Sequence, residues 1–202
     1  MSLPFKRVYI LLCVPICCVF SMLYADAKSD GEKGIQAFRQ GKLIEAMQLL
    51  QQSAELNYAP AQNTLAYILD QSEQDKQAFH WFQQAALQGH AGAQLGLGNM
   101  YAKGEGVDKD PVKAGSWIEK SAHQNYLPAM RALSYALESG NLGFSKDKQA
   151  AGIWFLKAAN AGDTVSMRRL TMAYRNNDLG LELNLDQAIY WDNKINKLTD
   201  KP

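Results

Sequence analysis

The chain has 202 residues, with 21 Lys and Arg against 20 Asp and Glu, so its formal net charge is +1. It therefore lacks the excess of positive charge with which proteins neutralise nucleic-acid phosphates or anionic lipid, and we expect no nucleic-acid partner. All three cysteines lie before residue 19, which excludes a disulfide, a thiolate zinc site and a thiol nucleophile from the rest of the chain.

The first 27 residues predict a secretory signal peptide. Lys6 and Arg7 form a short positive segment, and the apolar run from Val8 to Leu23 contains no charge. Ala25-Asp26-Ala27 then provides a small-x-small cleavage site, and a cut after Ala25 is also possible. Because the run is shorter than the roughly 20 residues that span a bilayer, a retained membrane anchor is the less favoured alternative. We expect an exported protein, periplasmic or secreted, with no membrane span after cleavage.

Residues 28–57 predict a polar leader and a first, degenerate hairpin. The leader, residues 28–32, is polar throughout. Residues 33–57 contain two short amphipathic segments separated by Gly41, and Ala46 and Leu49 stand in the second segment where later units have Ala and Trp. We therefore expect two short helices joined by a tight turn.

An Ala-x-x-Trp motif recurs four times in the rest of the chain. It uses all four tryptophans, Trp81, Trp117, Trp154 and Trp191, and successive ones lie 36, 37 and 37 residues apart. A fixed period between roughly 20 and 50 residues is typical of solenoids, in which similar units stack in one dimension. We expect the four tryptophans to lie in the hydrophobic core.

The unit from Gly89 to Asn125 shows what each repeat encodes. Ala93, Leu97 and Tyr101 are four residues apart and share one helix face. Glycines end this first helix, and Asp110 then predicts the N-cap of a second helix that begins at a proline. The units of Trp117, Trp154 and Trp191 have capping residues and turn glycines at the same distances from their tryptophan: Asp110, Asp147 and Asn184 as caps, and Gly106, Gly143 and Gly180 in the turns. The unit of Trp81 has a shorter connection and lacks the glycine turn.

These offsets divide the chain into four repeats and a short tail. The repeats are residues 58–88, 89–125, 126–161 and 162–197, and the tail is 198–202. Together with the hairpin of residues 33–57 they predict an all-α solenoid of about five helical hairpins.

The motif of residues 93–122, Ala-x3-Leu-Gly-x2-Tyr-x2-Gly-x-Gly-Val-x2-Asp-x3-Ala-x2-Trp-x3-Ser-Ala, resembles the Sel-one-like repeat. That family is a longer-looped relative of the tetratricopeptide repeat, and residues 33–57 are similar to a plain tetratricopeptide unit. The resemblance extends over about residues 33–196. It implies a right-handed α/α solenoid that acts as a scaffold or adaptor for other macromolecules, and it implies no particular reaction or partner.

No catalytic, cofactor or metal motif stands out in the sequence. His80, His90 and His123 occupy different offsets within the repeat and lack the spacings of a metal site. The chain has no Gly-x-Ser-x-Gly and no Ser-x-x-Lys. Some cysteine-rich exported members of the family have been linked to β-lactams, but their cysteine pairs are absent here. We therefore expect no enzyme, cofactor or metal, and a β-lactam-type hydrolase is only a remote alternative.

The positions that the repeat leaves variable predict a binding groove. First helices usually line the concave face of a solenoid, and the positions two before and two after the repeated Leu point away from the packed side. These positions hold, in chain order, Asn63 and Tyr67, Leu95 and Asn99, Arg131 and Tyr135, and Arg168 and Met172. Arg131, Arg168 and Arg169 would make the second half of the groove positive, which favours an acidic peptide or an anionic glycan.

The last helix predicts a second surface, at the end of the stack. Tyr190, Trp191, Ile195 and Leu198 have no following helix to cover them. They could dock a partner or a second copy of the chain.

The sequence as a whole favours an exported scaffold or adaptor that mediates protein–protein interaction in the cell envelope. The alternative is a binder of a cell-envelope polymer, either peptidoglycan or a polysaccharide. Only Tyr67 and Tyr135 offer rings for stacking on sugars in the predicted groove, so a protein or peptide partner is favoured.

Overall fold

The structure is a computed structural model that describes residues 16–199, and within that range it contains ten helices and no strand. The helices are α1 Ile16–Arg39, α2 Leu43–Glu55, α3 Ala59–Gln71, α4 Asp75–Leu87, α5 Ala91–Lys103, α6 Pro111–His123, α7 Leu127–Ser139, α8 Lys148–Asn160, α9 Thr164–Asn176 and α10 Leu185–Thr199. Each helix packs against the next, which gives five stacked hairpins and confirms the predicted solenoid. Residues 1–15 of the predicted signal peptide and residues 200–202 of the predicted tail lie outside the described range.

None of the helices within residues 16–199 combines the length and the apolar character that a membrane crossing requires.

The predicted caps begin the second helices of three hairpins. The side-chain oxygens of Asp110, Asp147 and Asn184 accept the backbone N–H three residues later, at 3.0, 2.8 and 3.0 Å. Such a cap stabilises a helix by about 1 kcal/mol relative to Ala. The turn glycines before these caps adopt positive φ, for example 68° at Gly106, as predicted.

Two glycines inside second helices allow neighbouring hairpins to approach closely. A Cβ at Gly115 would lie 2.1 Å from the carbonyl oxygen of Leu142, and a Cβ at Gly152 would lie 2.6 Å from that of Leu179. Both leucines belong to the loop of the following hairpin and adopt left-handed φ, 51° and 55°. The glycine in the Ala-Gly-x-Trp form of the motif is therefore needed by the next repeat.

The tryptophans differ from the prediction that all four lie in the core. Trp191 is buried, with 3% of its surface exposed, but Trp81, Trp117 and Trp154 are only partly buried. The residue after each of these three fills the core instead, and all three such residues are buried: Phe82, Ile118 and Phe155. Consecutive helical residues point about 100° apart, so the seam between hairpins admits one of the pair and leaves the indole at its edge.

Lysine side chains cover two of the partly buried indoles. Lys120 Nζ lies 4.1 Å from the ring centroid of Trp117, and Lys157 Nζ lies at the same distance from that of Trp154. A cation over an indole face is attracted by the ring quadrupole. The lysines thus cover apolar surface that the core leaves exposed.

Helix α1 begins well before the predicted first hairpin. Residues 28–32, predicted as a separate polar leader, are helical, and Gly31 is buried against α2. A Cβ at Gly31 would lie 2.5 Å from both Ser53 Oγ and Tyr58 Cδ1. Polar residues surround this glycine in the sequence. The segment therefore has no apolar periodicity from which its close packing could be predicted.

Two different chemistries join the hairpins. In the first half of the solenoid, side-chain amides bridge neighbours: Gln88 donates to Gln62 at 2.7 Å, and Gln124 donates to Gln94 at 2.8 Å. Helix α7 has Met130 at the position equivalent to Gln94, and ion pairs join the hairpins in the second half of the solenoid instead. The repeat pattern did not predict these amide–amide hydrogen bonds, although each acceptor glutamine directly follows the repeated alanine.

Candidate functional site

The eight predicted groove residues all reach the surface. Tyr67, Tyr135 and Met172 are 47%, 42% and 58% exposed. The other five are exposed or partly exposed: Asn63, Leu95, Asn99, Arg131 and Arg168. Helix α1 contacts α3 and α3 contacts α5, so the first helices of the early hairpins form one continuous face.

A cleft opens on this face between α1 and α3. We call it the N-terminal cleft; it has a volume of about 250 Å³ and is lined by Ile35, Phe38, Arg39, Asn63, Thr64 and Tyr67. The rings of Phe38 and Tyr67 meet edge to face, with their centroids 6.1 Å apart. Pockets that enclose small molecules usually measure roughly 300–1,000 Å³, so this open cleft is better matched to one side chain of a larger partner.

The N-terminal cleft combines an apolar floor with unused polar groups. Thr64 Oγ1 donates to the carbonyl of Pro60 at 2.9 Å, but the Asn63 amide and the Tyr67 hydroxyl make no hydrogen bond to any described residue. Arg39 is exposed at the end of α1 and forms no ion pair within residues 16–199. An amide, a phenol and a guanidinium are thus available to a partner beside Phe38.

The sequence predicts only half of this cleft. The offsets in the repeat give Asn63 and Tyr67, but they do not reach Ile35, Phe38 and Arg39 on α1. Helix α1 lacks the spacing of the later first helices, so these offsets do not apply to it. Phe38 also stands just before the turn at Gly41, where an apolar residue is ordinary.

Tyr135 occupies the position equivalent to Tyr67 in the second half of the solenoid. Its ring packs edge to face on Phe155, with the centroids 5.1 Å apart, while 42% of its surface stays exposed. The buried phenyl ring therefore holds an accessible tyrosine in a fixed orientation.

The predicted positive charge in this half is largely neutralised, which corrects the sequence analysis. Arg131 pairs with the Asp163 carboxylate at 2.9 Å, and Arg169 pairs with both Glu138 and Asp178. Of the three arginines, only Arg168 is exposed without an ion-pair partner among residues 16–199. Carboxylates about 30 residues away or on an adjoining loop supply these partners, so the spacing of the arginines alone did not reveal them.

The Arg169 network joins four elements. Arg169 Nη2 donates to Asp178 Oδ2 at 2.6 Å, and Lys148 Nζ donates to Asp178 Oδ1 at 2.8 Å. The Lys148 ammonium and then the Arg169 guanidinium hold the pKa of Asp178 well below its ordinary value. This network connects α7, α8, α9 and the loop after α9.

His90 caps α5 close to the N-terminal cleft. Its Nδ1 accepts the backbone N–H of Ala93 at 3.2 Å, and burial lowers the pKa of the imidazole. A Cβ at Gly92 would lie 3.2 Å from His90 Cε1 and 3.3 Å from Asn63 Oδ1, so His90 and Asn63 flank the same point. The neutral imidazole is the form that can accept this hydrogen bond.

The predicted uncovered surface on the last helix is smaller than expected. Trp191 and Ile195 are 3% and 7% exposed because they pack inward on the core around α9, so the prediction was wrong for both. Tyr190 and Leu198 are exposed, at 51% and 44%, and Ile189 beside them is 54% exposed.

Within residues 16–199, no group of three or more His, Cys, Asp or Glu side chains is arranged to hold a metal ion. At the predicted groove positions, Arg131 forms an ion pair with Asp163, whereas Asn99 and Arg168 are exposed.

The sequence model of the Sel1 repeat family matches four consecutive stretches of the chain, residues 30–58, 59–90, 91–126 and 127–163. These ranges cover the first four hairpins, and the hairpin of α9 and α10 lies almost wholly beyond them.

Solved structures of two bacterial proteins share the architecture. A Sel1 repeat protein from Oxalobacter formigenes is 25% identical and superimposes with a TM-score of 0.76, covering 87% of this chain and 73% of that one. The protective antigen c5321 of uropathogenic Escherichia coli is 29% identical, with a TM-score of 0.77 over 90% of this chain and 41% of that one.

A plant protein is similar over part of the chain. The ERAD-associated E3 ubiquitin-protein ligase component HRD3A of Arabidopsis thaliana is 28% identical over 122 residues, which are 52% of this chain. The match spans only 18% of the length of that relative.

Proposed function

The chain belongs to the Sel1 repeat family, and from that premise we propose that it is an exported scaffold that binds a protein or peptide along its concave face. Sel1 repeats generally mediate protein–protein interactions. The observation that carries the proposal is the N-terminal cleft, where Asn63, Tyr67 and Arg39 surround an apolar floor and leave their polar groups unused.

The chemistry of the cleft defines the segment that would fit it. Phe38 and Ile35 offer an apolar surface large enough for one aliphatic or aromatic side chain. The Asn63 amide can both donate to and accept from a peptide backbone, and the Arg39 guanidinium favours a carboxylate next to the anchor. The partner is therefore a segment with a large apolar residue beside an acidic one.

The test is a selection of peptides from a random displayed library on the immobilised protein, followed by titration calorimetry. We expect enrichment of a large apolar residue beside an acidic one. Tyr67→Ala should weaken the selected peptides roughly 30-fold, as for an interface hot spot. Tyr190→Ala is the matched control, because Tyr190 is equally exposed but lies on α10, and it should leave the affinity unchanged. Peptides that bind Tyr67→Ala as tightly as wild type would contradict the proposal.

A cell-envelope polymer is the second candidate ligand, supported by the exposed rings of Tyr67 and Tyr135 on one face. Aromatic rings of this kind can stack on sugars. Sedimentation with purified peptidoglycan tests it: the protein should pellet with the polymer, and a Tyr67→Ala, Tyr135→Ala double variant should remain in the supernatant.

The placement in the cell envelope rests on residues 1–27. The positive residues Lys6 and Arg7, the uncharged apolar run and the small residues that follow are typical of an export signal. Fractionation of cells that express the full chain should find the shortened protein in the periplasm or the medium. A chain without residues 2–27 should remain in the cytoplasm. Full-length protein in the cytoplasm would contradict export.

A further inference from the structure

Ala27 is an integral part of the first hairpin. It is fully buried, and its carbonyl oxygen accepts a hydrogen bond from Ser53 Oγ at 2.6 Å. Ser53 lies on α2 and is itself fully buried, and Ala27 is the acceptor of its hydroxyl within the described residues. The last residue of the small-x-small motif therefore belongs to the fold.

The sequence allows two cuts, and they leave different first helices. A cut after Ala27 removes the acceptor of the buried Ser53 hydroxyl. A cut after Ala25 keeps Ala27 in the helix and removes Tyr24, which is 57% exposed and makes an edge contact with Tyr58. A buried polar group without a partner destabilises a fold more than the loss of an exposed contact does.

Charge at the new N-terminus favours the same cut. The N-terminal end of a helix carries partial positive charge, so a carboxylate there is stabilising and a cation is destabilising. A cut after Ala25 makes Asp26 the first residue, and its carboxylate offsets the new α-amino group. A cut after Ala27 would instead place Lys28 beside that amino group.

We propose that the export peptidase hydrolyses the Ala25–Asp26 bond, so that the mature protein begins at Asp26 and keeps Ala27 in helix α1. Water adds across this peptide bond, giving the Ala25 carboxylate and the Asp26 amine. Cleavage acts on the extended chain during export, before the hairpins pack. This inference rests on the proposed export, and it names the residue at which the mature scaffold starts.

The direct test is the intact mass and the N-terminal sequence of the protein recovered from the periplasm or medium of cells that express the full chain. A start at Asp26 supports the proposal. A start at Lys28 or later, or an uncleaved chain in the periplasm or medium, overturns it while leaving export intact. An uncleaved chain confined to the cytoplasm contradicts both.

A second measurement tests the physical reason. Chains that start at Asp26 and at Lys28 are prepared with native N-termini and melted by circular dichroism, and the Lys28 form should melt several degrees lower. The same pair is then made with Ser53→Ala, which removes the hydroxyl that needs an acceptor. The difference between the two starts should shrink in that background. Equal melting of the two forms with Ser53 intact would overturn the argument.

Discussion

Gly115→Ala tests whether the repeat motif serves the packing of neighbouring hairpins. On an isolated helix the change is favourable by about 1 kcal/mol, because Ala is the better helix former. Here the new Cβ would lie 2.1 Å from the Leu142 carbonyl oxygen and 2.8 Å from Phe144 Cε2. Carbon and oxygen normally approach to roughly 3.3 Å, so the loop must move by about 1 Å.

The magnitude follows from these two opposing effects. Overpacking typically costs about 1–3 kcal/mol, and the upper end applies because the obstacle is backbone that no rotamer change can remove. After subtraction of the helix-propensity gain, the free energy of unfolding should fall by about 2 kcal/mol. For a chain of this size, that lowers Tm by about 4–8 °C.

The assay is thermal unfolding followed by circular dichroism, with Ser116→Ala as the matched control. Ser116 is the next residue on the same helix and is exposed, so its replacement should raise Tm slightly. A Gly115→Ala protein that melts at or above wild type would refute the proposed contact with the following loop.

Three further predictions concern pH and the core. Burial lowers the pKa of His90, so its cap stabilises the fold above pH 6.5, and this stabilisation is lost as the pH falls below that value. In urea unfolding, His90→Asn should therefore lose less unfolding free energy between pH 7 and pH 5 than wild type does. Lys148, and then Arg169, lower the pKa of Asp178, so Asp178→Asn should reduce the free energy of unfolding by about 2 kcal/mol at pH 7. This difference from wild type should shrink below pH 3.8, the ordinary pKa of an aspartate. Phe155→Ala should cost about 3–5 kcal/mol in chemical denaturation, and Trp154→Ala clearly less; the reverse order would contradict the observed burial.

The local features of the fold were predictable from sequence, because short-range chemistry determines them. The N-cap at Asp110 and the positive φ at Gly106 depend on residues within a few positions, and both were expected. The partial exposure of Trp117 was not expected, because Ile118 beside it is equally apolar and periodicity does not distinguish neighbours that point 100° apart. Packing against the neighbouring hairpin determines which of the two side chains is buried.

The sequence predicted that the residues of the candidate site are exposed. It did not predict the charge of the site or how far the site extends. Offsets within the repeat were enough to place Tyr67 and Tyr135 at the surface. They could not reveal that Asp163 would neutralise Arg131, because the two residues are 32 positions apart and meet only in the stacked structure. The cleft residue Phe38 was not predicted because its helix lacks the Ala-x-x-Trp spacing from which the groove offsets were taken, although the family model matches residues 30–58.

The four tryptophans give this solenoid one optical reporter for each of its last four hairpins. Trp117, Trp154 and Trp191 lie under an ammonium group, whereas Trp81 has Gln84 at the equivalent position, so the emission of each should respond to its own surroundings. In a stack where each hairpin contacts only its neighbours, unfolding can begin at one end and spread. Chains that retain a single tryptophan would therefore reveal by fluorescence in which order the hairpins separate, with no label added.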